Sequence, residues 1–483
     1  MKVVAIGIAS VVVAGAVTAV TVFLLRQEKT AEPAITLQLP VQIAHPDPLQ
    51  FEPGRTEEYE QAAAFGWSHV LFEKSPGGAI GAARRTARFR AMVDKATSGT
   101  DIDPDLVEAI VMLESAGRQD VIAGDDPANA AGLTQIVAGT ATDFLGMHVD
   151  LEASRRLTRL LDQAVRRGDD AEAARLRSER RQADTRFDPE QALAGTVRYL
   201  TEAMKVFGRD DLAAVSYHMG IGNLSNVVRA YTAREDDPID TIVDEADIDY
   251  PRLYFDSSPT GHRASWELLT SFGDDSQTYY WRVLGALGIM HLFRNDPGRL
   301  ERLAELHDRL PSAGVVLHPP TVRERYTDAA QLEDAIARRV LVPVRPSNGA
   351  HFTIDPQLLR VLAPLTDNPS DYLVLRPRAA RFLAYLSAKV YELSGEGRPL
   401  ALTRAAYDDE AATKLTPHDP GAAPDADMHS TGFAFDIRRR YGSGAQAAAF
   451  QWTLERLETL GLIAWTRGRS VIHVVVSPRA DVP

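Results

Sequence analysis

Apolar residues recur at helical spacing through much of residues 101–296. The first of these helices is predicted to begin at Asp103 and Pro104, because aspartate caps a helix and proline suits its first position. Glu114 falls beside the apolar face of this helix, so the pattern places a carboxyl group next to the core. The apolar face consists of Leu106, Val107, Ile110 and Leu113.

Three later stretches continue the helical pattern. Residues 189–207 are strongly amphipathic, and residues 275–291 are apolar enough to form a buried helix. Residues 212–223 predict a helix that ends in a glycine-rich turn at Gly220 and Gly222. Together these stretches predict an all-helical domain.

Two other stretches are helical in composition but highly charged. Residues 150–184 are dense in Arg, Asp, Glu and Ala, which predicts an inserted, solvent-exposed helical hairpin. Residues 56–96 precede the domain and carry several arginines, which we interpret as a solvated helix face. These arginines are Arg84, Arg85, Arg88 and Arg90.

From about residue 350 the pattern changes to a mixture of helix and strand. Residues 373–392 contain a long helix, and residues 450–462 form a second, amphipathic one. Residues 399–403 and 470–476 are short runs rich in apolar and β-branched residues, which predict strands. The expected fold class is therefore multidomain, with an all-α domain followed by an α+β domain.

Residues 3–25 form an uninterrupted stretch without a formal charge. At about 1.5 Å per helical residue, this stretch is long enough to cross the hydrocarbon core of a membrane. A cleaved signal peptide is the alternative, although its apolar region is usually shorter. We favour an uncleaved single-pass transmembrane helix, followed by a proline-rich spacer at residues 30–53.

Length and composition narrow the class of protein. The 483 residues are too many for one hydrophobic core and suggest two or three domains. The net charge of −13 disfavours a nucleic-acid-binding protein. The chain contains no cysteine, which excludes disulfides, cysteine-ligated zinc and thiol catalysis.

Glu114 is the first candidate for catalysis, as a general acid/base. A carboxyl group in apolar surroundings is costly to ionise, so it can stay protonated near neutral pH and donate a proton. An exposed glutamate at a helix end is the alternative. The following segment favours catalysis, because Gly132 allows the backbone to approach a ligand and Gln135 offers both a donor and an acceptor.

Four sequence blocks surround this candidate: Glu114-Ser115, Gly132-Leu133-Thr134-Gln135-Ile136 with Thr140-Ala141, Ser216-Tyr217-His218-Met219-Gly220-Ile221-Gly222, and Tyr279-Tyr280. In this order they resemble the all-helical, lysozyme-like domain of lytic transglycosylases of the soluble-transglycosylase (SLT) type, over residues from about 101 to 296. Two positions depart from the family pattern, with Thr134 in place of methionine and His218 in place of asparagine. Both are expected to line the substrate groove and to affect glycan preference.

The resemblance implies cleavage of the MurNAc–GlcNAc bond of peptidoglycan by a single carboxylic acid, without a cofactor. Glu114 would protonate the leaving oxygen and then act as a base while the muramic 6-hydroxyl attacks, giving a 1,6-anhydroMurNAc end. The N-acetyl group of the substrate would assist, so no second carboxylate is required from Asp120, Asp125 or Asp126. The implied substrate-binding or Glu-orienting residues are Ser115, Gln135, Tyr217, His218 and Tyr279.

The C-terminal region carries a second candidate site. His429 and Asp436 are seven positions apart, and His473 lies on the last predicted strand. Two histidines and one carboxylate form a zinc ligand set with an open fourth position. A lone histidine is more often structural than a ligand, so a purely structural role remains the alternative.

Residues from about 350 to 480 resemble the zinc D-Ala-D-Ala carboxypeptidase fold of the LAS metallopeptidases. The resemblance implies that Arg404, flanked by Thr403 and Tyr407, holds a substrate carboxylate. The family's general base, a glutamate three residues before the last histidine, is replaced by Ser470. Because a hydroxyl is a poor base at neutral pH, we expect a peptide-binding module rather than an active peptidase.

Three functions follow from these observations. We favour a membrane-anchored lytic transglycosylase outside the cytoplasm, with peptidoglycan and the membrane as its partners. The alternatives are a bifunctional enzyme that cuts glycan and peptide, and a non-catalytic wall-binding scaffold. The expected regions are an anchor (1–29), a spacer and helical lead-in (30–100), the SLT-like domain (101–296, with an insertion at 150–186), a connector (297–349) and the carboxypeptidase-like domain (350–483).

Overall fold

The computed structural model describes residues 47–309 and 325–482, apart from 274, 348, 364–365, 367–368, 396 and 416–427. These residues form a mostly helical part followed by a C-terminal α/β part. The predicted transmembrane helix at 3–25 lies outside the described residues. Within the described ranges, none of the helices combines the length and the apolar character needed to cross a bilayer.

The helical part confirms the periodic pattern, and the predicted helix at 189–207 has the expected bounds. A π-helical segment at Thr140–Phe144 and a 3-10 turn at Asp275–Thr278 interrupt the α-helices. The helices are α1 (Thr56–Lys74), α2 (Gly78–Ala87), α3 (Arg90–Thr97), α4 (Pro104–Ser115), α5 (Leu151–Arg167), α6 (Asp170–Ala183), α7 (Pro189–Phe207), α8 (Asp210–Met219), α9 (Ile221–Thr232), α10 (Ile239–Glu245), α11 (Tyr250–Asp256), α12 (Arg263–Ser271), α13 (Tyr279–Asn295) and α14 (Pro297–Arg309).

Helix α4 carries the first candidate residue and is defined at both ends by local chemistry. The Asp103 side chain accepts a hydrogen bond from the backbone N–H of Asp105, as a helix cap does. The helix stops after Ser115 because Ala116 and Gly117 adopt the left-handed conformation, with φ of 53° and 71°. Helix α13 packs along α4, so both form the centre of the helical core.

The prediction that the arginines of residues 56–96 form a solvated face is wrong for two of them. Arg85 donates a hydrogen bond to the carbonyl of Ala116, just beyond the end of α4. Arg90 forms ion pairs with Asp105 and Glu108 near the start of the same helix. Both arginines lie against α4 because α1, α2 and α3 pack on the core instead of projecting into solvent.

The charged hairpin is confirmed as helices α5 and α6, which pack against each other. It is less solvent-exposed than its composition indicates, because it encloses a small apolar core that includes Leu157, Leu161 and Leu176. Arg180 is buried and pairs with Asp120, which attaches the hairpin to the segment after α4.

The glycine-rich turn predicted at the end of 212–223 is wrong in detail. Helix α8 ends at Met219, and Gly220 alone makes the break, with φ of 88°. Gly222 lies inside α9, whose first residue is Ile221. The sequence offers two glycines, but one residue with a positive φ is enough to interrupt the helix.

The C-terminal part contains a five-stranded sheet in the order β2-β4-β5-β7-β6, with β2 parallel to β4 and the other neighbours antiparallel. The predicted strands at 399–403 and 470–476 correspond to β4 (Leu400–Arg404) and β7 (Val471–Val476), and the helices Pro377–Ser394 and Gly444–Thr459 pack together beside the sheet. The strands are β1 (Val342–Pro343), β2 (Phe352–Ile354), β3 (Val374–Leu375), β4 (Leu400–Arg404), β5 (Ala434–Arg438), β6 (Ile463–Arg467) and β7 (Val471–Val476). The helices are α15 (Ala329–Ala337), α16 (Pro356–Leu362), α17 (Pro377–Ser394), α18 (Asp409–Leu415) and α19 (Gly444–Thr459).

Helix α19 joins the two parts by packing against α1 and the C-terminal end of α11. Thr459 contacts both, since its hydroxyl accepts a hydrogen bond from Trp67 Nε1 at 3.1 Å and lies 2.8 Å from the Tyr254 hydroxyl. The buried Arg456 donates to the carbonyl of Tyr254 at 3.0 Å. One cluster of buried apolar residues therefore continues through both parts of the chain.

Candidate active site

Glu114 lies in the last turn of α4 and faces the start of α13. The hydroxyl of Tyr279, the first residue of α13, donates a hydrogen bond of 2.8 Å to Glu114 Oε1. Tyr279 is almost fully buried, and burial together with the neighbouring carboxylate raises the pKa of its hydroxyl well above the usual value. The tyrosine therefore remains protonated and acts as a fixed donor.

Burial raises the pKa of Glu114 to about 7. The hydrogen bond from Tyr279 and the positive charge of Arg282 act in the opposite direction and limit the rise. Loss of water around a carboxyl group disfavours its anion, whereas a donor and a cation favour it. The balance leaves a group that can both give and accept a proton near neutral pH.

Gln135 lies in the segment after α4, in a loop with a strained backbone. Its backbone has φ of 53°, and its side-chain Nε2 donates to the carbonyls of Gly132 and Val121 at 2.8 and 3.1 Å. The expectation that Gly132 admits a ligand is not what the structure shows. A Cβ at Gly132 would overlap the carbonyl oxygen of Arg186, so the close approach is between two backbone segments.

Tyr217 connects this loop to α8. Its hydroxyl donates a hydrogen bond of 2.8 Å to the carbonyl of Thr134 and lies 3.1 Å from the Thr196 hydroxyl. Burial and the nearby Glu114 raise the pKa of the Tyr217 hydroxyl above its usual value. The expectation that the Thr134 side chain lines a groove is wrong, because that side chain is fully buried.

His218 lies at the exposed edge of this cluster. Its ring stacks on the ring of Tyr279 with centroids 5.0 Å apart, and its Nδ1 lies 3.0 Å from the Ser276 hydroxyl. The histidine therefore covers the tyrosine that contacts Glu114. The expectation that His218 contacts the substrate stays a prediction.

Ser115 is buried, and its hydroxyl is occupied within the helix end. The hydroxyl donates to the carbonyl of Val111 at 3.1 Å and accepts from the backbone N–H of Arg118 at 3.3 Å. These bonds favour a role in terminating α4 over a contact with sugar.

Two of the three aspartates that could have served as a second carboxylate are bound to arginines of the hairpin. Asp126 forms a two-point contact with Arg155 at 2.8 and 2.9 Å. Asp120 pairs with Arg177 and Arg180. Asp120 and Asp126 therefore serve to attach the hairpin to the segment after α4.

Comparison with known families now provides an independent test. Residues 169–239 match the family model of the transglycosylase SLT domain. The matched segment runs from the second helix of the hairpin to the start of α10 and includes Tyr217 and His218. It supports a lytic transglycosylase that acts on peptidoglycan, with a lysozyme-like SLT domain. No curated protein matches the chain.

Glu114, Gln135 and Tyr279 lie outside the segment that the family model matches. In the structure Tyr279 contacts Glu114, Tyr217 lies near Glu114, and Tyr217 also contacts the carbonyl of Thr134, the residue before Gln135. The folded chain therefore joins sequence blocks that the SLT match alone does not cover.

The C-terminal sheet assembles the three residues of the second candidate site. Asp436 on β5 lies opposite His473 on β7, and His429 lies on the 3-10 turn just before β5. Asp436 Oδ1 is 2.8 Å from His473 Nδ1 and 3.2 Å from His429 Nε2. Arg404 Nη1 on β4 is 3.2 Å from Asp436 Oδ2.

The donor set of this cluster fits a zinc ion. One ligand atom from each of the three residues can be chosen so that all lie within 4.8 Å of one another. Burial opposes ionisation of Asp436, but the two imidazoles beside it hold the pKa of its carboxyl far below the usual range. His473 keeps 24% of its side-chain surface exposed, so a further ligand can approach from that side.

A cavity of about 190 Å³ opens beside this cluster. Arg404 and Tyr407 line it together with Ser470, and Tyr407 also stacks on His429 at 4.9 Å. Its apolar wall comes from α16. Among the described residues, those that line the cavity include no carboxylate.

Arg282 was not selected from the sequence, although it acts on Glu114. A signal was present, because Arg282 lies three positions after Tyr279 and therefore on the same face of a helix. Ser276, which contacts His218, gave no comparable signal.

Proposed function

We propose that this protein cleaves the MurNAc–GlcNAc bond of peptidoglycan with Glu114 as its single acid and base. The observation that carries this proposal is the carboxyl group of Glu114, which burial brings to a pKa of about 7 and which Tyr279 holds by a hydrogen bond. The SLT match over residues 169–239 supports peptidoglycan as the substrate.

The chemistry requires two proton transfers at Glu114, one to the leaving oxygen and one from the attacking hydroxyl. Glu114 gives its proton to the GlcNAc oxygen as the bond to C1 of MurNAc breaks, and the N-acetyl oxygen bonds to that carbon. The ionised Glu114 then takes the proton of the 6-hydroxyl, whose oxygen replaces the N-acetyl oxygen at C1. The product is a 1,6-anhydroMurNAc end, formed without added water.

The test is digestion of purified peptidoglycan by the wild type and Glu114→Gln, with anhydro-muropeptides measured by mass spectrometry. Glutamine keeps the shape but cannot exchange the proton, so we expect a loss of activity of at least about 100-fold. Asp126→Asn is the matched control and should retain activity, because Asp126 pairs with Arg155 at the surface. Equal product from wild type and Glu114→Gln would overturn the proposal.

We further propose that the C-terminal part binds stem peptides. His429, Asp436 and His473 would hold a zinc ion, which would supply Lewis-acid polarisation at a bound carbonyl. Arg404 would hold a carboxylate of the peptide beside the apolar wall of the cavity. Because Ser470 stands where a base is needed, binding without cleavage is favoured over a second hydrolytic activity.

Metal analysis and calorimetry of the full chain test this second proposal. We expect about one zinc per chain, a loss of zinc in His429→Ala, and weaker binding of a D-Ala-D-Ala-terminated stem peptide in Arg404→Gln. Peptide hydrolysis by the zinc-loaded chain would support the bifunctional alternative instead. Absence of both zinc and peptide binding would leave the C-terminal part with a structural role only.

We also propose that residues 3–25 anchor the chain in a membrane with the remainder outside the cytoplasm, where peptidoglycan lies. Their length and lack of formal charge support this placement. A chain that lacks residues 1–29 should then leave the membrane fraction, and unchanged membrane association would contradict the proposal.

A further inference from the structure

Arg282 is a largely buried cation one helical turn after Tyr279 on α13. Its side chain is 13% exposed, and the carboxylate and carbonyl of Asp275 fix two of its nitrogens at 2.8 and 3.0 Å. Its guanidinium carbon lies 5.9 Å from the centroid of the Tyr279 ring. Its buried Nε makes no hydrogen bond within the described part of the chain.

We propose that Arg282 is a positioning residue that stabilises the ionised form of Glu114. Its positive charge lies beside the ring of Tyr279, the residue that donates a hydrogen bond to Glu114. This inference rests on the proposed single-acid mechanism, in which Glu114 must exist as an anion between its two proton transfers. Burial alone would make that anion costly and the proton hard to release. A fixed cation near the Tyr279–Glu114 hydrogen bond lowers this cost without contacting the substrate.

The geometry explains why the cation stays in place. Asp275 lies on the 3-10 turn that precedes α13 and contacts Arg282 through both its side chain and its backbone. Two contacts from one residue fix the plane of the guanidinium. The charge is therefore held at a constant position relative to the Tyr279 ring.

Other charged or titratable groups around α4 have different positions. Tyr217 carries no positive charge. His218 contacts the ring of Tyr279, and Tyr279 in turn contacts Glu114. Arg85 binds the carbonyl beyond the helix end. At the opposite end of α4 the charged groups pair among themselves: Arg90, Arg294, Asp105 and Glu108.

The direct test is the titration of the Glu114 carboxyl in the full chain, followed by NMR of carboxyl-labelled glutamate and assigned with Glu114→Gln. In Arg282→Gln we expect the pKa of Glu114 to rise by about one unit, which is the effect of removing a nearby opposite charge. Arg282→Lys keeps the charge and should restore most of the wild-type value.

Arg294→Gln is the matched control, since Arg294 is also on α13 but forms its ion pair with Glu108, toward the far end of α4. It should lower the melting temperature while leaving the pKa of Glu114 unchanged. If Arg282 had only a structural role, Arg282→Gln would likewise lower the melting temperature and leave the pKa of Glu114 unchanged. An unchanged pKa in Arg282→Gln, with the fold intact by circular dichroism, would overturn the inference.

Activity provides a second, separate measurement. If the protein cleaves peptidoglycan, the pH at which activity falls should rise by the same amount in Arg282→Gln as the measured pKa. If the pKa of Glu114 rises in Arg282→Gln but the wild type releases no anhydro-muropeptide, the proposed function fails while the action of Arg282 on Glu114 stands. If the wild type is active but Arg282→Gln changes neither the pH profile of activity nor the pKa of Glu114, the inference about Arg282 fails and the proposed function stands.

Discussion

At the scale of single residues, the behaviour of Glu114 is decided by opposing influences. Burial raises the pKa of its carboxyl group to about 7, and the donor Tyr279 and the cation Arg282 limit that rise. The sequence placed Glu114 beside an apolar helix face but gave no means of weighing these influences. Tyr279 and Arg282 both belong to a helix more than 160 positions away from Glu114 in the chain.

The raised pKa predicts how activity and stability depend on pH. Proton donation requires the protonated acid, so activity should fall as pH rises through about 7. The folded pKa lies above the usual value of 4.5, so the folded state binds more protons between these values and loses stability as pH rises through them.

Glu114→Gln should therefore raise the melting temperature relative to the wild type at pH 8, with a smaller difference at pH 5. Thermal unfolding at both pH values, followed by circular dichroism, measures this. Asp126→Asn, a surface change, serves as the control. A larger stabilisation at pH 5 than at pH 8 would contradict the assigned direction of the pKa shift.

At the scale of elements, helices with clear periodicity and caps were predicted well. The start of α4 at Pro104 and the bounds of α7 follow from local chemistry, namely aspartate caps and proline at the first position. The break after Met219 was placed less well, because the sequence does not reveal which glycine adopts a positive φ. The loop at Gly132 was misjudged because its close neighbour, Arg186, is distant in sequence.

The Gly132 loop leads to a testable prediction about the site. Alanine at Gly132 would be strained at φ of 83° and would overlap the carbonyl of Arg186, so the loop that carries Gln135 must move. We expect Gly132→Ala to lose about 2 kcal/mol or more of unfolding free energy and most of the transglycosylase activity.

Gly168→Ala is the matched control for the Gly132 experiment. Gly168 also has a positive φ, of 70°, but a Cβ there would meet nothing within 4 Å. It should cost only about 1 kcal/mol, from backbone strain, and leave activity intact. Urea titration and peptidoglycan digestion measure both effects, and equal losses in the two variants would show that the overlap has no consequence.

At the scale of the whole molecule, the helical and α/β parts share an interface through α1, α11 and α19. The interface contains the buried Arg456 and the doubly hydrogen-bonded Thr459. The sequence predicted two domains but not this contact, since its residues are separated by about 200 positions or more. The two candidate sites are therefore carried by parts that pack on each other.

The interface can be disturbed at Gly66 on α1, where a Cβ would overlap the carbonyl of Thr459. Backbone atoms cannot move aside as a flexible side chain can, so we expect Gly66→Ala to cost about 1–3 kcal/mol and to increase proteolysis between the two parts. Gly81→Ala is the control, because a Cβ there would approach only the end of the Arg85 side chain, at 3.4 Å, and no backbone atom. Unchanged melting and proteolysis in Gly66→Ala would show that the interface is not maintained in solution.

The sequence by itself determined the helices with clear caps and periodicity, two strands of the C-terminal sheet and the residue types of both candidate sites. It did so because caps, periodicity and side-chain chemistry are local properties. Only the tertiary structure decided that Tyr279 and Arg282 act on Glu114, that Asp436 lies between two histidines, and that the arginines before α4 hold its ends. These outcomes depend on which distant segments pack together and on how much water they exclude, and neither quantity is contained in a local pattern.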